Sequence, residues 1–303
     1  MTIEKRITII GATGNLGAPV INNLLNLGYH IDAIVRNPQK AKTLFSTLPQ
    51  VRILKADLKD ITALKSALKD TEYLYLNLST QTTDLDIPFA PEREGIANIL
   101  SALNKNCIKQ IICISGLGAF GNQHTKRFKF IPNIIRKQGH KLIKESGIPY
   151  TILHCSWFVD TFVLFKRKNT YMVIGDTQNP VYFTNCFDFS HALDCAIGNS
   201  EAFFKEFPVQ GAEGIKHPEA AKLFFSEFSE DTKVKIAPGW ILVLAAVFNK
   251  EMKLVKHMSD YFRKSKEEFL AEECDTYKVL GKPKFSIAEY AKKMKNETIH
   301  DYI

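Results

Sequence analysis

The amino-acid sequence predicts an α/β protein: a doubly wound parallel sheet followed by a smaller, mainly helical C-terminal lobe. Three observations carry this. Short runs rich in Ile, Val and Leu alternate with helix-period segments through about residue 156. Several runs are apolar at nearly every position, as strands covered on both faces require. Beyond residue 157 the alternation loosens and helical spacing dominates.

The elements follow in order. Residues 6–10 are a β-branched strand that stops at Gly11, and 18–27 a helix closed by Gly28 in a C-cap position. Residues 31–35 and 51–54 read as strands around a helix at 39–48; 61–68 is helical and 73–78 a fourth strand. A helix at 91–104, a strand at 110–115, a helix at 134–146 ended by Gly147 and a strand at 150–153 complete the alternation. Further on, 171–174 and 181–184 read as short strands. Residues 189–197, 218–228, 240–262 and 286–295 read as helices, with Phe203-Phe204 and Phe224-Phe225 as core pairs. No linker separates the halves, so residues 157–303 are expected to pack as a lid on 1–156 rather than fold alone.

Composition excludes several classes. The 303 residues are 45% hydrophobic and 24% charged, an ordinary globular mix. The net charge of +8 comes from scattered lysines without a nucleic-acid-binding signature, which favours a solvated surface over a nucleic-acid partner. The six cysteines show no metal-ligand spacing, so no metal is expected and the thiols read as reduced in a cytoplasmic protein. No signal peptide is evident. The longest apolar run, 240–248, is too short to span a bilayer; it reads as a buried helix, with an interfacial one as the alternative.

Gly11-Ala-Thr-Gly14-Asn-Leu-Gly17 lies between the first strand and the first helix. One glycine permits the tight turn, one lets the backbone approach a pyrophosphate, and one lets helix and strand pack closely. The helix N-terminus behind them offers free N–H groups and partial positive charge. This is the context of a Rossmann-type dinucleotide site. A protein that selects NAD usually carries an acid at the end of the second strand. Here no acid occurs from Ala33 through Ala56, and Asp32 is at the wrong end of its strand. The tip reads Val35-Arg36-Asn37-Pro38, with Lys40 one helical turn on. Arg36 suits a 2′-phosphate, so NADP(H) is the expected cofactor.

The glycine motif, Val35-Arg36-Asn37-Pro38, Ala56-Asp57-Leu58 and the run from Ser146 to Leu153 together resemble the atypical short-chain dehydrogenase/reductases of the NmrA-like group, nearest its quinone oxidoreductase branch. Asp188 in Cys186-Phe-Asp-Phe-Ser extends the likeness, which covers about residues 5–200. The resemblance implies that Gly11, Thr13, Gly14, Asn15, Leu16 and Gly17 meet the pyrophosphate and adenosine ribose, and Arg36 and Lys40 the 2′-phosphate. Asp57 and Leu58 would border the adenine; Asn77, Leu78 and Ser79 would line the central cofactor, and Ser115 the nicotinamide side.

The chemistry is less legible. The Tyr-x-x-x-Lys pair of orthodox short-chain reductases is missing, because no tyrosine lies between Asn104 and Pro149. Arg136 and His140 stand where NmrA-like relatives often carry Lys-x-x-x-Glu. Four residues apart, they share a helix face, Arg136 to hold an oxygen and His140 to move a proton near neutral pH. Ordinary surface residues are the alternative for both. His124 is a further candidate, and Trp157 and Phe158 read either as walls of the nicotinamide pocket or as core. Three readings stay open: an NADPH-dependent reductase of a small quinone, enone or carbonyl, a non-catalytic NADP(H) sensor with a protein partner, and, last, an epimerase or dehydratase.

Overall fold

The computed structural model describes residues 5–121, 128–174 and 179–296. Its strands are β1 (Lys5–Ile10), β2 (Tyr29–Val35), β3 (Val51–Lys55), β4 (Tyr73–Leu76), β5 (Gln110–Gly116), β6 (Tyr150–Cys155), β7 (Thr170–Ile174), β8 (Lys205–Val209) and β9 (Lys233–Ala237). The first helices are α1 (Gly17–Asn26), α2 (Pro38–Phe45), α3 (Ile61–Leu68), α4 (Ile96–Ala102), α5 (Ile131–Glu145) and α6 (Asp160–Phe165). Then come α7 (Cys186–Ala196), α8 (His217–Phe228), α9 (Gly239–Phe248), α10 (Lys250–Lys264), α11 (Thr276–Leu280) and α12 (Ile287–Asn296).

Seven strands form one sheet in the order β3-β2-β1-β4-β5-β6-β8, every pair parallel. The order reverses between β1 and β4, and the crevice beyond their carboxyl ends is where such sheets bind ligands. Alternate residues of each strand feed opposite layers. Ile7, Ile9, Ile31, Tyr75 and Leu153 pack with Val20, Leu24, Phe189 and Leu193 of α1 and α7. On the other face Ile10, Ile34, Leu76 and Ile111 meet Leu64, Leu68, Ile99 and Ile143 of α3, α4 and α5. Each of these fully buried side chains contributes about 1.5–3 kcal/mol. A third core, around Phe162, Tyr171, Phe183, Phe224, Phe225 and Tyr290, holds the C-terminal lobe together.

Gly28 (φ +85°) and Gly147 (φ +74°) adopt the left-handed conformation that closing a helix asks of them. Several local expectations are corrected. Residues 181–184 form only isolated bridges, Val181 to Ile215 and Thr184 to Phe158, while β9 pairs with β7 instead. The seventh strand, β8, escapes pattern reading because Lys-Glu-Phe-Pro-Val carries two charges and a proline; as an edge strand it tolerates Pro208. The helix expected at 240–262 is two helices, α9 and α10. Phe204 is exposed with φ +58°, against Tyr150, rather than core. All six cysteines are free, with Cys107 and Cys195 only partly buried. Asp188 pairs with the N-cap Asn185 and accepts from the Lys284 backbone N–H, which ties α7 to the segment before α12.

Candidate functional site

The glycine loop has the shape its spacing predicts. Gly11 adopts φ +90°, and a Cβ there would meet the Asn77 carbonyl oxygen at 2.1 Å. A Cβ on Gly17 would sit 2.2 Å from the Ala12 oxygen, so this glycine serves close packing at the start of α1. Gly14 is different: it is exposed, and a Cβ there would lie 3.2 Å from the Gly11 oxygen, far less crowded than at Gly11 or Gly17. No side chain caps α1; in its first turn Gly17 N–H bonds Gly14 O at 2.9 Å and Pro19 has no N–H, so the Ala18 N–H is the one left for an anion. A pyrophosphate fits this cradle. Asn77, just past β4, donates its side-chain amide to Gly11 O at 3.1 Å and holds the loop against the switch point.

At the tip of β2, Arg36 and Lys40 are both exposed. Lys40 Nζ donates to Thr13 O at 2.9 Å, which places its charge beside the glycine loop. Asn37 caps α2 by accepting from the Gln39 and Lys40 N–H groups, so Arg36 is set on a fixed corner. Asp32, the one acid of β2, is bound by Arg52 through two hydrogen bonds of 2.8 and 2.7 Å and by Arg6 at 3.1 Å. It is sequestered from the ligand side. Asp57 accepts the Lys59 N–H at 2.9 Å in a tight turn and Leu58 O accepts from Asn98 at 2.8 Å, both just past the carboxyl end of β3. Leu78 is buried and Ser79 exposed past β4, while Ser115 is buried at the end of β5.

Beyond β5 a chain of polar contacts runs from α5 to α10. Glu92, buried, accepts the Thr80 N–H at 2.7 Å and Arg136 Nε at 2.7 Å. Arg136 Nη1 donates to Asn133 Oδ1 at 3.0 Å. The Asn133 amide nitrogen and the Tyr261 hydroxyl lie side by side over Gly118. Gly116 and Gly118 make room: a Cβ on Gly116 would lie 3.0 Å from Arg136 Nη1, and one on Gly118 only 1.8 Å from the Tyr261 hydroxyl. Burial raises the Tyr261 pKa while Asn133 and Arg136 pull it down, and the phenol stays protonated at neutral pH. Helix α10 is anchored here by His257, whose Nε2 accepts the Ile131 N–H at 3.3 Å, and by Phe130 stacked on Tyr261 at 4.4 Å.

Arg136 is therefore no ordinary surface residue. Neither is His140. It is buried edge-on to His154, and desolvation together with that neighbour pushes its pKa down to about 3. A neutral imidazole has no spare proton to give at pH 7. His154 Nε2 pairs with Glu206 Oε2 at 2.9 Å, and Glu206 also holds Lys144. The ligand atoms of His140, His154 and Glu206 lie within 4.8 Å of one another, yet Lys144 already balances the carboxylate.

Phe158 belongs to the core under the sheet, whereas Trp157 stacks on Phe262 of α10 at 3.9 Å and faces the lobe. Glu267, after α10, accepts from Ser156 at 2.9 Å and Gln210 at 2.8 Å, latching that segment to the ends of β6 and β8. Pattern reading missed Tyr261 and Glu267. Each is an isolated polar residue in a lobe without a motif, and only folding brings it to the site. His124 lies outside the described residues.

The curated relatives that match include quinone oxidoreductase 2 of Escherichia coli, 34% identical over 159 residues, covering 52% of this chain and 50% of that protein. NAD(P)H azoreductase of Xenophilus azovorans is 20% identical over 294 residues, covering 94% and 96% of the two chains. In the first relatives matched, the alignment spans 58%, 38% and 50% of their own length. Among solved structures, the Escherichia coli NADPH-dependent quinone oxidoreductase complexed with NADPH superposes with TM-score 0.70 at 22% identity, covering 95% of this chain and 99% of that one. Triphenylmethane reductase of Citrobacter sp., complexed with NADP(H), gives 0.71 at 19% identity over 95% and 99%. These likenesses show the fold. The family model described as NAD(P)H-binding matches residues 11–181, more than half of the chain and all of the glycine cradle. With the NmrA-like motifs seated at the carboxyl ends of this sheet, the chain belongs to that NAD(P)H-binding family.

Proposed function

We propose that the protein is an NADPH-dependent oxidoreductase that reduces a small, flat quinone, enone or carbonyl. The observation that carries this reading is the Glu92–Arg136–Asn133–Tyr261 chain, which delivers a protonated phenol to Gly118 beyond β5. Several relatives and neighbours, named above as reductases of quinones and dyes, support the substrate class.

Gly11, Thr13, Gly14, Asn15, Leu16 and Gly17 would hold the pyrophosphate and ribose, Arg36 and Lys40 the 2′-phosphate, and Asp57 and Leu58 the adenine edge. Asn77, Leu78, Ser79 and Ser115 would line the rest of the cofactor. When bound, the dihydronicotinamide supplies hydride to the acceptor. The chain's own task is the proton. Asn133 has its oxygen occupied by Arg136, so its amide would donate to the Tyr261 oxygen. The phenolic hydrogen is then free for the substrate oxygen. As it leaves, Asn133 and the Arg136 charge stabilise the phenolate, which solvent reprotonates. Arg136 acts as a positioning residue and His140 as packing.

NADPH oxidation against a panel of quinones and enones tests this. Tyr261→Phe should lower kcat about 10²- to 10⁴-fold with little change in NADPH affinity. Unchanged turnover would remove Tyr261 from the mechanism. A sensor is the second reading, favoured by the close packing of α10 over Gly118. Tight NADPH binding with no turnover across the panel would establish it instead.

A further inference from the structure

Helix α9 reads Gly-Trp-Ile-Leu-Val-Leu-Ala-Ala-Val-Phe, with no polar side chain. Pattern alone predicts that such a run is buried. Instead Trp240, Val243, Leu244 and Val247 are 63%, 51%, 57% and 72% exposed. Their i, i+3, i+4, i+7 spacing makes them one continuous face. With Ile236 just before the helix, this stretch supplies five of the ten exposed large apolar side chains among the described residues. Single exposed apolar residues are commonplace; a contiguous face of this kind marks an interaction surface.

The surrounding charge says what covers it. Residues 233–264 contain seven Lys or Arg against two acids, so five of the chain's eight net positive charges lie in this stretch. One of the two acids, Asp260, is held by Lys256 and Arg263. Lys233 and Lys235 on β9 and Lys253 on α10 are exposed on either side of α9. A second copy placed face to face would bring two basic rims together, at an electrostatic cost. An acidic surface with an apolar interior satisfies both features.

We propose that α9 is an interfacial helix that seats the protein on an anionic lipid membrane, its apolar face at the acyl boundary and the flanking lysines on the headgroup phosphates. Ten residues span about 15 Å, too short to cross a hydrocarbon core of about 30 Å, so the helix lies in the plane of the surface. Among the described residues no helix is long and apolar enough to cross a membrane. The sequence reading expects no membrane partner, and the proposal departs from that expectation. This inference stands apart from the reductase reading, since it uses none of the cofactor or pocket residues.

Co-sedimentation of the full chain with phosphatidylcholine vesicles, with and without phosphatidylglycerol, tests it. Binding is expected only with the anionic lipid and should weaken with salt. Val247→Asp, at an exposed site, should reduce it by about tenfold or more, and Lys233→Glu with Lys235→Glu by a similar factor. In a Trp157→Phe background, Trp240 fluorescence should shift to the blue on binding. No sedimentation with anionic vesicles by a chain that still binds NADPH overturns the proposal. So does a dimer in ultracentrifugation that Val247→Asp dissolves, which would assign the face to a second copy.

Discussion

At the scale of single residues, local chemistry decides what can be read from sequence. Gly11 and Gly17 are legible because each task is set within a few neighbours: a tight turn and a helix start. Arg36→Ala should weaken NADPH binding about 10- to 100-fold, the worth of charge-assisted hydrogen bonds to a phosphate, and leave NADH nearly unaffected. Tyr261 shows the opposite case. Tyr261 lies on α10, far along the chain, and nothing adjacent to it in sequence announces the proposed role. His140 illustrates a third outcome. Its helical spacing from Arg136 is read correctly, but the ring lies against His154 inside the protein, so its basicity is lost to desolvation.

At the scale of elements, the strands of the N-terminal sheet are legible because burial on both faces makes them apolar throughout. β8 is not, because an edge strand buries less and admits Pro208, Lys205 and Glu206. α9 is misread for a related reason: hydropathy reports what a helix prefers, and the fold leaves that preference unmet on one face. The segment after α10 depends on one half-buried acid. Burial raises the Glu267 pKa while Gln210, Ser156 and the Tyr182 N–H hold it down. Glu267→Ala leaves those donors without their acceptor and should cost about 1–3 kcal/mol in urea unfolding. Glu267→Gln should recover part of it. Equal stability of all three proteins would show that the latch does not matter.

At the scale of the whole molecule, histidines withdrawn from water, half-buried or buried, set the acid limit. His217, at the start of α8, is stacked on Phe162 and paired with the Tyr171 hydroxyl; burial pushes its pKa down to about 4. His140, beside His154, Glu206, Lys144 and Arg136, is pushed to about 3. Both are neutral when folded, whereas the unfolded chain takes up protons below about pH 6.5. Stability is therefore full above about pH 6.5 and falls as pH drops toward 4. Each such histidine contributes a slope of at most about 1.4 kcal/mol per pH unit. Urea unfolding at pH 7 and pH 4.5 should show the loss, and His217→Gln should flatten it. A stability independent of pH over that window would contradict the burial of these rings as neutral groups.

The proposed dinucleotide site sits at the switch point between β1 and β4. Isothermal titration calorimetry of NADPH and NADH with the unaltered protein and with Arg36→Ala tests that most directly. The arrangement of Arg36 and Lys40 opposite a sequestered Asp32 predicts tight NADPH binding, much weaker NADH binding, and loss of the difference in the variant. Equal affinity for the two nucleotides, unchanged by Arg36→Ala, would contradict it.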